Sequence, residues 1–224
     1  MMRRLNLLIL VAAVGAGCQT GPRMGGLNPF YRPERTTFVV PAKRIESIRQ
    51  TTEKATGKDT PEQQAIVQDL VTPLEGERDP LIRQATLETV AAFNTTLSGK
   101  ALLAGLSDES PHVREAVCRL LAKRPTAGAA EVLAARVQGD DSFDVRVAAA
   151  QALAPNGATP QQLLPLLEDS NPAMQLVGVE AMRSATGKDY GGDVAAYVAL
   201  ARGDEPPQRE KTAVASLPDW VPFF

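Results

Sequence analysis

Aromatic residues are scarce in this sequence: Phe, Trp and Tyr together make up 4 % of the chain, whereas hydrophobic residues as a whole make up 44 %. The apolar side chains are therefore mostly Ala, Leu and Val. Such a composition suits closely packed helices better than strands, which favour β-branched and aromatic residues. The composition predicts an all-α fold.

Histidine and cysteine are nearly absent, which argues against several kinds of catalytic and metal site. His112 is the only histidine, so the sequence offers no histidine pair for zinc, and a Ser-His-Asp arrangement would have to use this one residue. We interpret His112 as an exposed turn residue. If Cys18 carries a lipid, Cys118 has no partner for an internal disulfide, and stability must come from packing. We predict no metal site and no small-molecule cofactor.

Clusters of basic residues are also missing. The chain has 24 Lys and Arg against 26 Asp and Glu, and removal of an N-terminal segment that contains Arg3 and Arg4 would make it more acidic. Binding to a phosphate backbone or to anionic lipid requires clustered positive charge. We therefore predict no nucleic-acid partner, and no membrane contact other than an anchor.

The first eighteen residues, MMRRLNLLILVAAVGAGC, have the features of an export signal, because two arginines precede a short apolar run that ends in small residues. Gly15-Ala16-Gly17-Cys18 resembles the bacterial lipobox, in which the cysteine is lipidated and becomes the new N-terminus. Gly15 stands where most lipoboxes have Leu, so plain secretion is the alternative. We predict a signal peptide at 1–17, a lipid on Cys18 and a Pro- and Gly-containing tether at 18–42.

Four segments of the chain share one helical pattern and superpose without gaps at intervals of about thirty residues, which is typical of a repeat array. Their apolar residues recur at spacings that place them on one face of a helix, and an apolar segment precedes each copy. Each unit is thus predicted to be a helical hairpin that buries its apolar face only by stacking on neighbours. The segments are DPLIRQATLETV (79–90), SPHVREAVCRLL (110–121), SFDVRVAAAQAL (142–153) and NPAMQLVGVEAM (171–182).

A turn with Asp or Pro, followed by Val-Arg, Ala and Leu in each unit, resembles HEAT repeats over residues 60–188. The resemblance implies a right-handed α-solenoid of about four hairpins that acts as a protein-binding scaffold. A related subgroup contains chromophore lyases, so a lyase-type enzyme, or an accessory subunit of an envelope enzyme, is the alternative. We predict capping helices at 43–59 and 189–203, the second one begun by Asp193 and ended by Gly203.

The sequence ATGKD occurs at 55–59 and again at 185–189. A phosphate-binding loop would need an earlier glycine and a Ser or Thr after the lysine, and neither copy has them. We interpret Gly57 and Gly187 as the ends of helices. Calcium binding by Asp189 and Asp193 is not supported by the spacing of the acidic residues.

The resemblance to HEAT repeats also suggests roles for the residues of the second helices. Arg83, Arg114 and Arg146 recur at one turn of the repeat and would form a structural ladder with turn aspartates of adjacent units; a binding stripe is the alternative. The outward row would line a concave groove for a protein partner, and it becomes more apolar toward the C-terminus. This row consists of Gln84, Glu88, Glu115, Arg119, Val147, Gln151, Leu176 and Glu180.

The Pro-rich tail at 204–224 contains the only tryptophan of the chain. Trp220, Phe223 and Phe224 either belong to a flap that packs on the last helix pair or anchor a partner protein. Taken together, the sequence predicts a non-enzymatic, exported scaffold on the periplasmic face of a membrane. Polysaccharide binding is less favoured, because it would use aromatic residues that the repeats lack.

Overall fold

The structure, a computed structural model, describes residues 40–207, and within this range it contains ten α-helices and no strand. The predicted all-α class is confirmed. The predicted signal peptide, Cys18, and Trp220, Phe223 and Phe224 of the tail lie outside the described residues. The helices are α1 (Pro41–Gln50), α2 (Pro61–Val71), α3 (Pro80–Ala91), α4 (Thr96–Gly105), α5 (Pro111–Lys123), α6 (Ala129–Gly139), α7 (Phe143–Leu153), α8 (Pro160–Leu167), α9 (Pro172–Thr186) and α10 (Val194–Arg202).

Half of the ten helices between residues 40 and 207 begin at a proline that follows a polar residue. The Thr60 side chain accepts a hydrogen bond from the backbone N–H of Gln63, and Asn171 accepts one from Ala173. Proline suits the first helical position because its fixed φ is already helical and its missing N–H would be unpaired there in any case. These short turns fix where each helix of a hairpin starts.

The helices form two layers. One layer contains α3, α5, α7 and α9, with α1 packed on α3 at its beginning. In the other layer α2 contacts α4, α6 contacts α8, and α10 packs on α8. Consecutive helices from α2 to α9 therefore form four hairpins, while α1 takes the place of a lone second helix and α10 that of a lone first helix. The predicted HEAT-like helical solenoid with capping helices is confirmed.

The core runs continuously between the two layers. It is built from the apolar columns of the repeats, and Val113, Val145 and Leu153 have no exposed surface. Small residues allow the helices to approach closely: at Gly178 of α9, a Cβ would lie 2.9 Å from the Leu166 Cβ of α8. Because each hairpin buries its apolar face only against its neighbours, stability is shared among the units.

One predicted detail of the ATGKD segments, the role of Gly57 as the end of a helix, is wrong. The first helix begins at Pro41, continues as a 3-10 helix over Thr51–Lys54 and ends with an extended Ala55, so Gly57 lies in the following loop with φ of 72°. Only Gly187 ends a helix, with φ of 69°. The difference arises because the chain unwinds through a 3-10 turn before it reaches the first glycine.

Candidate functional site

Paired side chains join adjacent hairpins along the second helices. Arg83 of α3 binds the carboxylate of Asp108 with two hydrogen bonds, from Nε at 2.8 Å and Nη2 at 2.7 Å. Arg114 of α5 binds Asp140 in the same way, with both distances 2.8 Å. A planar guanidinium matches a carboxylate in this two-point geometry. These are two rungs of the predicted arginine ladder, and each connects one unit to the turn of the next.

Asp140 occupies the most enclosed position of this ladder, with a side chain that is 0 % exposed. Burial alone would raise the pKa of this carboxyl, but hydrogen bonds from Arg114 and from the Ser142 N–H outweigh it, and the pKa lies below its usual range. The pKa of Arg114 is raised, chiefly by its hydrogen bond to Asp140. Both groups therefore stay charged, which suits a structural pair better than a proton-transfer site.

The third predicted rung does not form. Arg146 Nη1 donates to the backbone carbonyl of Asp140 at 2.8 Å, and its guanidinium lies 5.4 Å from the centre of the Phe143 ring. No ion pair joins Arg146 to another side chain within residues 40–207. Helix α8 has 8 residues, against 10 in α4 and 11 in α6. Asp169, the counterpart of Asp108 and Asp140 in this hairpin, accepts a hydrogen bond from the N–H of Asn171 at 2.7 Å.

The outward row begins with side chains that pair along their own helix. Gln84 donates to Glu88 at 2.8 Å, and Arg119 donates to Glu115. Glu88 also accepts a hydrogen bond from Arg49 of α1 at 3.3 Å, so the first capping helix borders the row. The ion pair of Arg119 and Glu115 contributes little to stability, because 67 % of the Arg119 side chain is exposed.

A groove of about 410 Å³ lies between α3 and α5 and brings together three of the predicted partner-binding residues. Leu81, which is 61 % exposed, lies on this groove and was not predicted. Leu81 precedes the first buried column by one residue, and the only sequence signal for it was a leucine where the other copies have His112, Asp144 and Ala173. The groove is lined by Pro80, Leu81, Gln84, His112, Glu115, Ala116 and Arg119.

The other half of the row lies outside this groove. Val147 of α7 is half-buried, whereas Gln151 and Glu180 are exposed. Leu176 of α9 is 60 % exposed, one of the most exposed large apolar side chains among the described residues. The predicted apolar trend toward the C-terminus is present, but these four residues and the groove residues do not form one pocket.

The remaining candidate residues are exposed, buried in the core or hydrogen-bonded to nearby groups. His112 is exposed on the groove, and Cys118 is fully buried in α5. Asp189 accepts hydrogen bonds from the N–H of Gly191 and from Arg183, while Asp193 caps α10. Between residues 40 and 207 there is no group of three His, Cys, Asp or Glu side chains placed to hold a metal ion. None of the helices in this range is long and apolar enough to cross a membrane.

We expect the thiol of Cys118 to be unreactive in the folded protein. Burial raises the pKa of the thiol to about 12, so thiolate, the reactive form, is almost absent at neutral pH. Treatment of the full chain with iodoacetamide at pH 8 should leave residue 118 unmodified in native buffer and modify it fully in concentrated urea, as measured by mass spectrometry of the tryptic peptide. Rapid labelling in native buffer would contradict a core role.

Comparison with known proteins identifies one region of similarity. Residues 67–154, from within α2 to the residue after α7, match the family model for HEAT repeats. A comparison with curated proteins finds no match to the chain. HEAT repeats suggest a helical repeat scaffold for protein interaction. The family match and the paired packing of helices beyond it support a HEAT-repeat protein with a HEAT-like solenoid fold.

Proposed function

We propose that this chain is a non-enzymatic, protein-binding scaffold of the bacterial cell envelope, exported and held at the periplasmic face of a membrane by a lipid on Cys18. The groove between α3 and α5 carries the proposal, because it combines an exposed leucine with charged and amide side chains. The similarity to HEAT repeats supports a protein partner. The export-like N-terminal sequence supports the location.

The chemistry of the groove favours a peptide segment with an apolar anchor. Leu81 offers a solvent-exposed apolar surface, and burial of such a surface drives protein association. Around it, Gln84 and His112 offer hydrogen-bonding groups, while Arg119, with 67 % of its side chain exposed, offers a cation. A partner with a large apolar side chain next to an acidic residue would match this arrangement.

Photocrosslinking in living cells tests the proposed surface. A photoreactive residue at Gln84 should capture a defined envelope protein, while the same residue at Glu131, an exposed position on α6 in the other layer, should not. Leu81→Asp should then weaken binding of the purified partner by at least about tenfold, as expected for loss of an apolar anchor. Equal capture from both positions, or unchanged binding by the Leu81 variant, would contradict a docking role for the groove.

Cell fractionation tests the proposed anchor separately. The full chain should sediment with membranes, and Cys18→Ser should release it into the soluble fraction, because a lipid supplies most of the membrane affinity. The matched variant Cys118→Ser should leave the distribution unchanged. If Cys18→Ser has no effect on membrane association, the anchor proposal is wrong, while the protein-binding proposal stands on its own test.

A further inference from the structure

An apolar cleft of about 280 Å³ lies in the first hairpin, between α2, α3 and α4. The chain leaves α2 through the 3-10 turn Thr72–Gly76, and Val71 and Leu74 at this turn are only half-buried. Leu87 of α3, which is 3 % exposed, lines the cleft from the core. The apolar lining consists of Val71, Leu74, Leu87, Ala101, Ala104 and Gly105.

In the second hairpin a side chain occupies the corresponding place. When α4 and α6 are aligned on the buried residues Leu102 and Leu133, Gly105 corresponds to Arg136. Arg136 Nη2 donates to the hydroxyl of Ser107, just after α4, at 2.9 Å, so this side chain spans the space between α6 and α4. Gly105 has no side chain that could span the space between α4 and α2. The cleft is therefore specific to these two helices and is not repeated at every pair in the layer.

The size of the cleft favours a single side chain as its occupant. Pockets for drug-sized ligands usually have volumes of about 300–1,000 Å³, and this cleft lies below that range. A pocket that receives one large apolar side chain of a partner is a common form of interface hot spot. The apolar lining suits such an anchor, because burial of apolar surface drives association.

The charged groups at the cleft favour a cation on the partner. Arg83 lines the cleft, but its guanidinium already binds Asp108, Glu109 and two backbone carbonyls. Glu75 also lines the cleft and is exposed, and the Glu109 side chain is 80 % exposed. Carboxylates therefore outnumber cations at this site, so a basic group nearby would be attracted and an acidic group repelled.

We propose that the cleft between α2 and α4 is a second docking site, which binds a protein segment with a large apolar side chain next to a lysine or arginine. The apolar side chain enters between Leu74 and Leu87, and the basic residue lies near Glu75. This preference is opposite to that of the groove between α3 and α5, where Arg119 favours an acidic neighbour. The two sites are lined by different residues, so each is tested separately.

Titration with blocked tripeptides tests the chemistry of the occupant. In the full chain with ¹³C-labelled leucine methyl groups, Lys-Phe-Lys should shift the NMR signals of Leu74 and Leu87 in a saturable way. Lys-Ala-Lys, which lacks the anchor, should bind at least about tenfold more weakly. Glu-Phe-Glu, with the charges reversed, should bind at least about fivefold more weakly. The methyl signals of Leu81 report on the other groove in the same spectra.

Matched variants test the position of the site. Ala104 is exposed at the cleft, and Ala135 is its exposed counterpart on α6. Ala104→Phe should fill the cleft and weaken Lys-Phe-Lys binding at least about tenfold, whereas Ala135→Phe should leave binding unchanged. Both variants should keep the Tm within about 2 °C, as expected for exposed positions. Glu75→Lys should weaken binding about fivefold, and Glu131→Lys, an equal charge change on α6, should not.

Four results would overturn the proposal. The first is the absence of saturable shifts at Leu74 and Leu87 with Lys-Phe-Lys, and the second is equal binding of Lys-Phe-Lys and Glu-Phe-Glu. The third is an equal effect of the phenylalanine variants at positions 104 and 135. The fourth is a shift of the same signals with protein concentration alone, which would assign the cleft to a second copy of the chain. Shifts confined to Leu81 would leave the groove between α3 and α5 as the docking site and exclude the cleft.

Discussion

Replacement of Asp140 by alanine should lower the free energy of unfolding by about 3–5 kcal/mol, the range found when one partner of a buried ion pair is removed. The Asp140 side chain is fully enclosed, and both of its oxygens accept hydrogen bonds from Arg114. The variant would leave Arg114, whose side chain is 9 % exposed, without the carboxylate that binds it by two hydrogen bonds. It would also leave the Ser142 N–H without its acceptor.

The neighbouring residue provides a matched control. Asp141 carries the same charge and lies 3.8 Å from Arg114, but its side chain is 98 % exposed. Asp141→Ala should leave the urea unfolding midpoint unchanged within error, since exposed ion pairs contribute little. If both variants unfold at the same urea concentration, the two-point pairing of Asp140 does not stabilise the chain.

The pH dependence of stability gives an independent check on Asp140. Its pKa is lowered in the folded state, so the carboxylate contributes stability above the unfolded-state value of about 3.9. This contribution is lost as the pH falls through the lower folded-state pKa, when the folded protein also binds the proton. The difference in unfolding free energy between the unsubstituted chain and Asp140→Ala should therefore be constant near pH 7 and shrink below pH 4. A difference that grows on acidification would contradict this assignment.

Repetition is the reason that the architecture could be predicted from the sequence. Four copies of one pattern agree on which residues are buried, so a departure in one copy, such as Gln175 in place of arginine, does not hide the others. Local capping is similarly encoded in adjacent residues: the predicted roles of Asp193 and Gly203 at the ends of α10 are both present in the structure. Patterns of this kind depend on one helix and its immediate flanks.

Features that depend on two units at once were less predictable. Arg146 follows a valine at the same position of the repeat as Arg114, but its rung is absent, and the hairpin that would supply its partner begins with the shorter helix α8. Leu81 likewise looks like an ordinary helix residue until α5 is placed beside α3 to form the groove. These features depend on how two adjacent units are placed relative to each other. The sequence of a single repeat does not specify that placement.

Close packing at one glycine leads to the second large effect that we expect. A Cβ at Gly178 would lie 2.9 Å from the Leu166 Cβ and 3.1 Å from the backbone carbon of Leu166 and the nitrogen of Leu167. Backbone atoms cannot move aside as a side-chain end does, so Gly178→Val should force α8 and α9 apart. The cost of such overpacking is typically about 1–3 kcal/mol. We expect the free energy of unfolding to fall by an amount near the upper end of this range, because valine adds two further carbons beyond Cβ.

Two other helical glycines show whether packing, and not helix propensity, is responsible. A Cβ at Gly105 meets the ends of the Leu87 and Val117 side chains, which can rotate, and a Cβ at Gly139 meets nothing within 4 Å. Alanine is intrinsically better in a helix than glycine by about 1 kcal/mol. Among the three alanine variants, Gly139→Ala should therefore have the highest free energy of unfolding, Gly105→Ala an intermediate value and Gly178→Ala the lowest. The free energy of unfolding of Gly178→Ala should also be lower than that of the unsubstituted chain. A stabilising Gly178→Ala would mean that helix propensity outweighs the contact, and that the α8–α9 pair has room to relax.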